Sequence, residues 1–139
     1  MAIEEPVPTL ELHPNANPKH AYGLTKPPLD LIPPVALVYE AMVFKHGSDK
    51  YGSFNWRDAA VVRSVYLAAA MRHLLALMDG QDKDPDSGCP HESHVRACMG
   101  IVQDARECGK LIDDRHTPGQ VSRVMAELTV PRKPDALET

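Results

Sequence analysis

The sequence predicts an all-α protein, a helical bundle of about four helices behind an extended, proline-rich N-terminal arm. Three observations carry that class. Apolar residues recur at helical spacing over long stretches, and the alternation that a half-buried strand requires is absent. Aromatic residues make up only 5% of a chain rich in Ala, Leu, Val and Met. At 139 residues the chain suits one domain with a real core. A formal charge of -4 argues against a protein that coats nucleic acid, which would carry a basic stripe. No run reaches the roughly 18 apolar residues of a membrane span, and the first residues lack a signal-peptide pattern. Cys89, Cys98 and Cys108 have no close paired spacing and read as reduced thiols of a cytoplasmic protein.

The elements follow in order. Residues 1–33 form the arm: eight of the thirteen prolines fall in residues 1–34, and proline fixes φ and removes a backbone donor. Leu29, Leu31 and Ile32 among these prolines suit an arm laid on the domain or on a partner subunit, with residues 1–20 looser. A helical domain, 34–130, comes next, and residues 131–139 form a tail. Pro34 opens the first helix, expected over Val35 to His46 with Gly47 as its stop. Glu40 lies within its apolar stripe, either solvated or functional. The segment Lys45 to Arg57 reads as a loop. Its Lys45, Lys50 and Arg57 suit phosphate, and its Tyr51 or Trp56 suits stacking on a base. The alternative is a surface loop that its lone Trp anchors to the core.

Asp58 is the expected N-cap of a second helix, Ala59 to Met78. That helix is apolar almost all round and so belongs in the middle of a bundle. Arg63, Arg72 and His73 stand out against this background and need partners. A third helix is expected to start near Cys89 to Glu92 and run to about Asp113, with Val95, Cys98, Met99, Val102, Ala105 and Ile112 as its stripe. After the turn at 113–119 a short last helix, Gln120 to Leu128, carries Val121, Val124, Met125 and Leu128 on one side.

Asp79 to His94 is the densest stretch chemically: five carboxylates (Asp79, Asp82, Asp84, Asp86, Glu92) and two histidines, broken by Gly80, Pro85, Gly88 and Pro90. It is either a cation site or a solvated connector between two helices. Projecting the third helix's stripe backward reaches His94 and His91, one turn apart on the core-facing side, which favours a metal. Carboxylate with imidazole suits Mn²⁺, Zn²⁺, Co²⁺ or Fe²⁺, whereas Mg²⁺ prefers more oxygen. A competing set, Cys89, His91, His94 and Cys98, fits structural zinc but lacks the two separated ligand pairs of common zinc modules. Basic and aromatic residues near such a site are what a nucleotide polyphosphate demands. The chain has no P-loop, no G-x-S-x-G and no His–Asp dipeptide, so HD-type chemistry is disfavoured.

Four motifs in order resemble a known family. They are Lys26-Pro-Pro-Leu-Asp-Leu-Ile-Pro-Pro34, Lys50-Tyr-Gly-Ser-Phe-Asn-Trp-Arg57, Arg72-His-Leu-Leu-Ala76 and Gly80-Gln-Asp-Lys-Asp-Pro-Asp-Ser-Gly-Cys-Pro-His-Glu-Ser-His94. Over residues 24–100 the chain is similar to the phage dATP/dGTP diphosphohydrolase N-terminal domain family. That resemblance implies a MazG-like all-α nucleotide pyrophosphohydrolase, one that cuts a purine dNTP to dNMP and pyrophosphate with a divalent metal (Mg²⁺, Mn²⁺ or Co²⁺, with Zn²⁺ possible). The implied metal ligands are His73, Asp86, His91 and His94, with Asp82 or Asp84. Lys50, Arg57 and Arg72 are expected on phosphates, Trp56 or Tyr51 near the base and Asn55 on its edge. Glu40 and Glu92 are the two candidates for general base. Gln81 and Asp86 depart from the family's usual Glu at both positions. A binder that sequesters a nucleotide without cutting it would share these residues. The expected partners are a purine nucleotide and further copies of the chain, as a dimer or tetramer, in the cytoplasm of a host cell if phage-encoded.

Overall fold

The computed structural model describes residues 13–131. It is all-α: α1 (Lys19–Gly23), α2 (Pro34–Tyr51), α3 (Asn55–Asp58), α4 (Arg63–Met78), α5 (His91–Glu107) and α6 (Val121–Leu128). Two short strands, β1 (Val61–Val62) and β2 (Leu111–Ile112), pair in parallel with Val61 opposite Leu111. Within the arm the chain is not simply extended. It forms the α1 turn and a 3₁₀ turn at Leu29–Leu31 among the prolines. Residues 1–12 and 132–139, which hold the first part of the arm and nearly all of the tail, lie outside the described residues.

The helix at the centre of the chain is α5, which packs against α4, α2 and α3. Its small residues permit this: Ala97 and Ala105 are fully or nearly fully buried, and Gly100 faces the Glu40 and Phe44 side chains of α2. This corrects the expectation that the second helix would be central. Among the described residues α4 packs chiefly on α5, and Val65, Met71, Leu74, Leu75 and Met78 stay exposed. The apolar side of α6 is exposed in the same way. Val43, Cys89 and Ala97, with Phe44 packed beside them, make a small core where α2, α5 and the 79–90 loop meet.

Helix ends differ from expectation for identifiable reasons. α2 continues through Gly47 to Tyr51, because one interior glycine costs only about 1 kcal/mol against alanine, too little to stop a helix packed on a neighbour. Its real stop is Gly52, whose φ of 87° is open to glycine at no steric cost. Asp58 caps nothing; it closes the short α3. The β-branched Val61 and Val62 then extend to pair with β2, and α4 begins only at Arg63. There Asp114, from beyond β2, accepts hydrogen bonds from the Ser64 N–H and hydroxyl. α5 stops at Glu107 rather than Asp113. Gly109 turns left-handed (φ 69°), and the Lys110 N–H returns to the Ala105 carbonyl in the manner of a Schellman ending.

Candidate functional site

A cleft of about 590 Å³ opens between α2, the 52–56 turn, α4 and α5, within the size range of small-molecule sites. Its walls are mainly apolar and aromatic: Phe44, Tyr51, Phe54, Trp56, Tyr66 and Ile101 among them. Asp104 of α5 sets the aromatic wall. Its carboxylate accepts the Trp56 indole N–H (2.6 Å) and two guanidinium N–H groups of Arg57 (2.7 and 2.9 Å). Arg57, followed by Trp56, holds the Asp104 carboxyl down to about 2. Trp56 also lies against Phe44 and Phe54, with ring centroids 5.5 and 5.2 Å apart. Phe54 adopts a left-handed backbone (φ 54°), uncommon outside glycine, at the point where the chain turns into α3. Asn55, which also lines the cleft, donates from Nδ2 to the Gly52 carbonyl (3.1 Å). Trp56 is therefore both the anchor and a lining residue, the two roles its sequence left open.

On the opposite side His94 lines the cleft and stacks on His73, with ring centroids 4.3 Å apart and planes 11° from parallel. Behind them His91 is only 3% exposed. Its Nε2 donates to Gln81 Oε1 (2.9 Å), so its Nδ1 carries the lone pair that accepts from His73 Nδ1 at 2.8 Å. Asp84 completes the group. Its Oδ1 accepts the backbone N–H groups of Asp86 and Ser87, and its Oδ2 faces His73 Nδ1 at 4.0 Å. One ligand atom each from His73, Asp84 and His91 lies within 4.8 Å of the other two. Burial, then the neighbouring His94, pushes the His73 pKa below its usual value, and burial does the same to His94. Burial alone would raise Asp84, but the Ser87 and Asp86 N–H groups outweigh it and hold the carboxyl low. Neutral imidazoles beside an ionised carboxylate are the protonation states that a cation needs. The Gln81 contact fixes the ring of His91 as outer partners of metal-bound histidines do. The donor set thus fits a divalent ion. No cysteine belongs to it: Cys89 is buried and its thiol turns to the Ser87 carbonyl.

The other expected site residues distribute as follows. Asp86 is not part of the His73, Asp84 and His91 group; its carboxylate is held by Lys50 Nζ (2.5 Å) and His46 Nε2 (3.3 Å). The Asp82 side chain is exposed, while its backbone carbonyl accepts the His91 N–H. Glu40 is engaged by Arg96 (2.9 and 3.1 Å), joining α2 to α5. Glu92 and Arg72 are exposed, and neither makes an ion pair among the described residues. Sequence reasoning missed Asp104, Gln81 as a partner of His91, Ser87 as a partner of His94 (2.6 Å), and His46. Only Gln81 left a signal, as a departure from the family pattern.

Fold and site together define an all-α protein in which an aromatic cleft borders a histidine–carboxylate cluster. Residues 16–115 match the family described as dATP/dGTP diphosphohydrolase, N-terminal, and the chain belongs to that family. It is also similar to a dATP/dGTP diphosphohydrolase of Salmonella phage PMBT28, 38% identical over 77 residues. The aligned part is 55% of this chain and 26% of the phage protein, so the chain spans about a quarter of that relative's length. No solved structure matches it.

Proposed function

We propose that this domain serves a metal-dependent diphosphohydrolase that converts a purine deoxynucleoside triphosphate to its monophosphate and pyrophosphate. The observation that carries the reading is the junction at His94, where an aromatic cleft of nucleotide size meets a cluster of cation donors. Trp56, fixed by Asp104, and Phe54, packed on it, form one wall on which a base lies, and Asn55 reads an edge of that base. Lys50 and Arg72 hold phosphates; Arg57, already neutralised by Asp104, acts on the wall instead. His73, Asp84 and His91, with His94 beside them, hold the cation. Of the expected divalent ions, Mn²⁺ and Co²⁺ suit this imidazole-rich set better than Mg²⁺, and Zn²⁺ also fits. A divalent ion bound there supplies charge neutralisation and an activated water. Glu40 and Glu92 remain the two candidates for general base. Glu40→Gln and Glu92→Gln separate them, because Glu40 also ties α2 to Arg96.

The test is product analysis. Each dNTP and rNTP is incubated with Mg²⁺, Mn²⁺ or Co²⁺, and nucleotides and pyrophosphate are resolved. Monophosphate plus pyrophosphate, lost in His94→Ala, is the expected result. One observation favours a second reading, a binder that sequesters intact nucleotide: Asp84 is the single carboxylate in the cluster, with neutral Gln81 behind it. A stoichiometric complex with uncut nucleotide under every metal would select that alternative.

Self-association belongs to the same proposal. The apolar sides of α4 and α6 are exposed on the described residues, and a second copy or a set of four would cover them. Light scattering on the full chain decides this; a strictly monomeric mass removes it. No helix of the described residues is long and apolar enough to cross a membrane, and the host cytoplasm, where nucleotide pools lie, is the proposed location.

A further inference from the structure

His46 and Lys50 lie one turn apart on the last part of α2, so both side chains leave the helix on the same side. Gly47, Ser48 and Tyr51, interleaved with them, line the cleft. Both basic groups converge on a single oxygen, Oδ2 of Asp86. The Asp86 side chain is 67% exposed, so burial does not demand a partner for it. It is delivered by the same loop that places Asp84 in the histidine cluster, two residues earlier. A carboxylate oxygen held between an ammonium and an imidazole, at the edge of a nucleotide-sized cleft and near a cation cluster, occupies the surroundings that a phosphate oxygen requires.

We propose that His46 and Lys50 form the subsite for the terminal phosphates of the ligand, and that Asp86 fills it in the free protein as a built-in competitor. The inference rests on the nucleotide reading above and deepens it. The ligand displaces Asp86 and takes over its two contacts, so the Asp86 part of the loop is released from His46 and Lys50 when a polyphosphate arrives, while Cys89 stays packed on Val43 of α2. Exposed ion pairs are weak, so the competitor is displaceable and its removal has a modest effect.

The experiment is calorimetric titration of the full chain with pyrophosphate, without metal or nucleotide. Asp86→Asn should tighten pyrophosphate about three- to fivefold, the scale of one exposed ion pair. His46→Gln and Lys50→Ala should each weaken it. Combined with both His46→Gln and Lys50→Ala, Asp86→Asn should give no gain, because the competitor then has neither partner to occupy. A gain that persists without His46 and Lys50 would be long-range charge alone and would overturn the proposal. So would Asp86→Asn binding no tighter than wild type, the behaviour of a simple tether, or loss of Co²⁺ binding in Asp86→Asn, the behaviour of a metal ligand. Pyrophosphate that binds neither form overturns it as well. The two readings fail separately. Tightening in Asp86→Asn with every nucleotide left uncut keeps the subsite and removes the hydrolase, while hydrolysis without tightening does the reverse.

Discussion

On one side of the cleft Asp104 holds Trp56 and Arg57 with three charge-assisted hydrogen bonds, and every charge there is matched. On the other, His73, His91 and His94 crowd together with Asp84 the one carboxylate among them. The aromatic wall is complete as it stands. The histidine wall rests on one hydrogen bond, between His73 and His91, and on the stack of His73 against His94, with ring nitrogens that a positive ion would engage. On the proposed reading the two halves divide the work: the wall whose polar groups are satisfied would position a ligand, and the wall with lone pairs to spare would carry the chemistry.

Four changes press on that difference, the first two on the histidine wall. His91→Ala should produce the largest effect, a fall of about 100-fold or more in Co²⁺ or Mn²⁺ affinity by calorimetry, because it removes a ligand and the bridge to Gln81 together. Unchanged cation affinity would mean that the cluster is only a packed polar core. Gln81→Leu should weaken the cation about tenfold, the usual cost of losing an outer partner of a histidine ligand. Gln81→Glu, which restores an acidic acceptor, should strengthen it.

The aromatic wall should answer differently. Asp104→Asn keeps the shape but discards the charge that holds Arg57. A few-fold rise in KM at constant kcat is expected, since a wall that binds ground state and transition state alike affects binding alone. A fall in kcat with KM unchanged would move Asp104 into the chemistry. The smallest effect is the pH response of the same carboxylate. Its folded-state pKa of about 2 lies below the ordinary value near ~3.9, so it stabilises the fold fully above pH ~4 and loses that contribution as pH falls through about 2. The indole ultraviolet signal of Trp56 should shift in that window in the wild type and not in Asp104→Asn.

The sequence disclosed the all-α class and four helical regions because each rests on apolar recurrence over many residues. It also disclosed the 79–94 stretch, where ligand types are concentrated locally. It concealed what depends on contacts across the chain. Asp104 sits 48 residues from Trp56 with nothing local to mark it as a hub. Two-residue strands are too short to show any period, so Val61 and Val62 were absorbed into a helix that begins later. The central helix was misplaced because apolar content measures what a helix is able to bury. Which helix is buried within one chain depends on how many neighbours reach it, and the small residues of α5 admit three. Asp86 looked like its neighbour Asp84, yet hydrogen bonds to the Asp84 side chain turn the loop so that the two carboxylates face different partners.

The pairing of β1 with β2 has a topological result. The chain enters at Val61–Val62 and leaves at Leu111–Ile112 side by side and in the same direction, with Arg63 and Ser64 clasped by Asp113 and Asp114 at the junction. Everything between, α4, the ligand-bearing loop and α5, is a closed excursion whose ring-closure entropy is met at its base and not along its length. His73, Asp84 and His91 all lie on that excursion. The histidine–carboxylate cluster is therefore carried on one closed segment, which reaches α2 through Asp86 on His46 and Lys50 and through Cys89 on Val43. Phe44, Phe54 and Trp56 of the aromatic wall come from before Val61 and are the part that changes spliced in there would retune, while Asp104 and Tyr66 stay on the excursion.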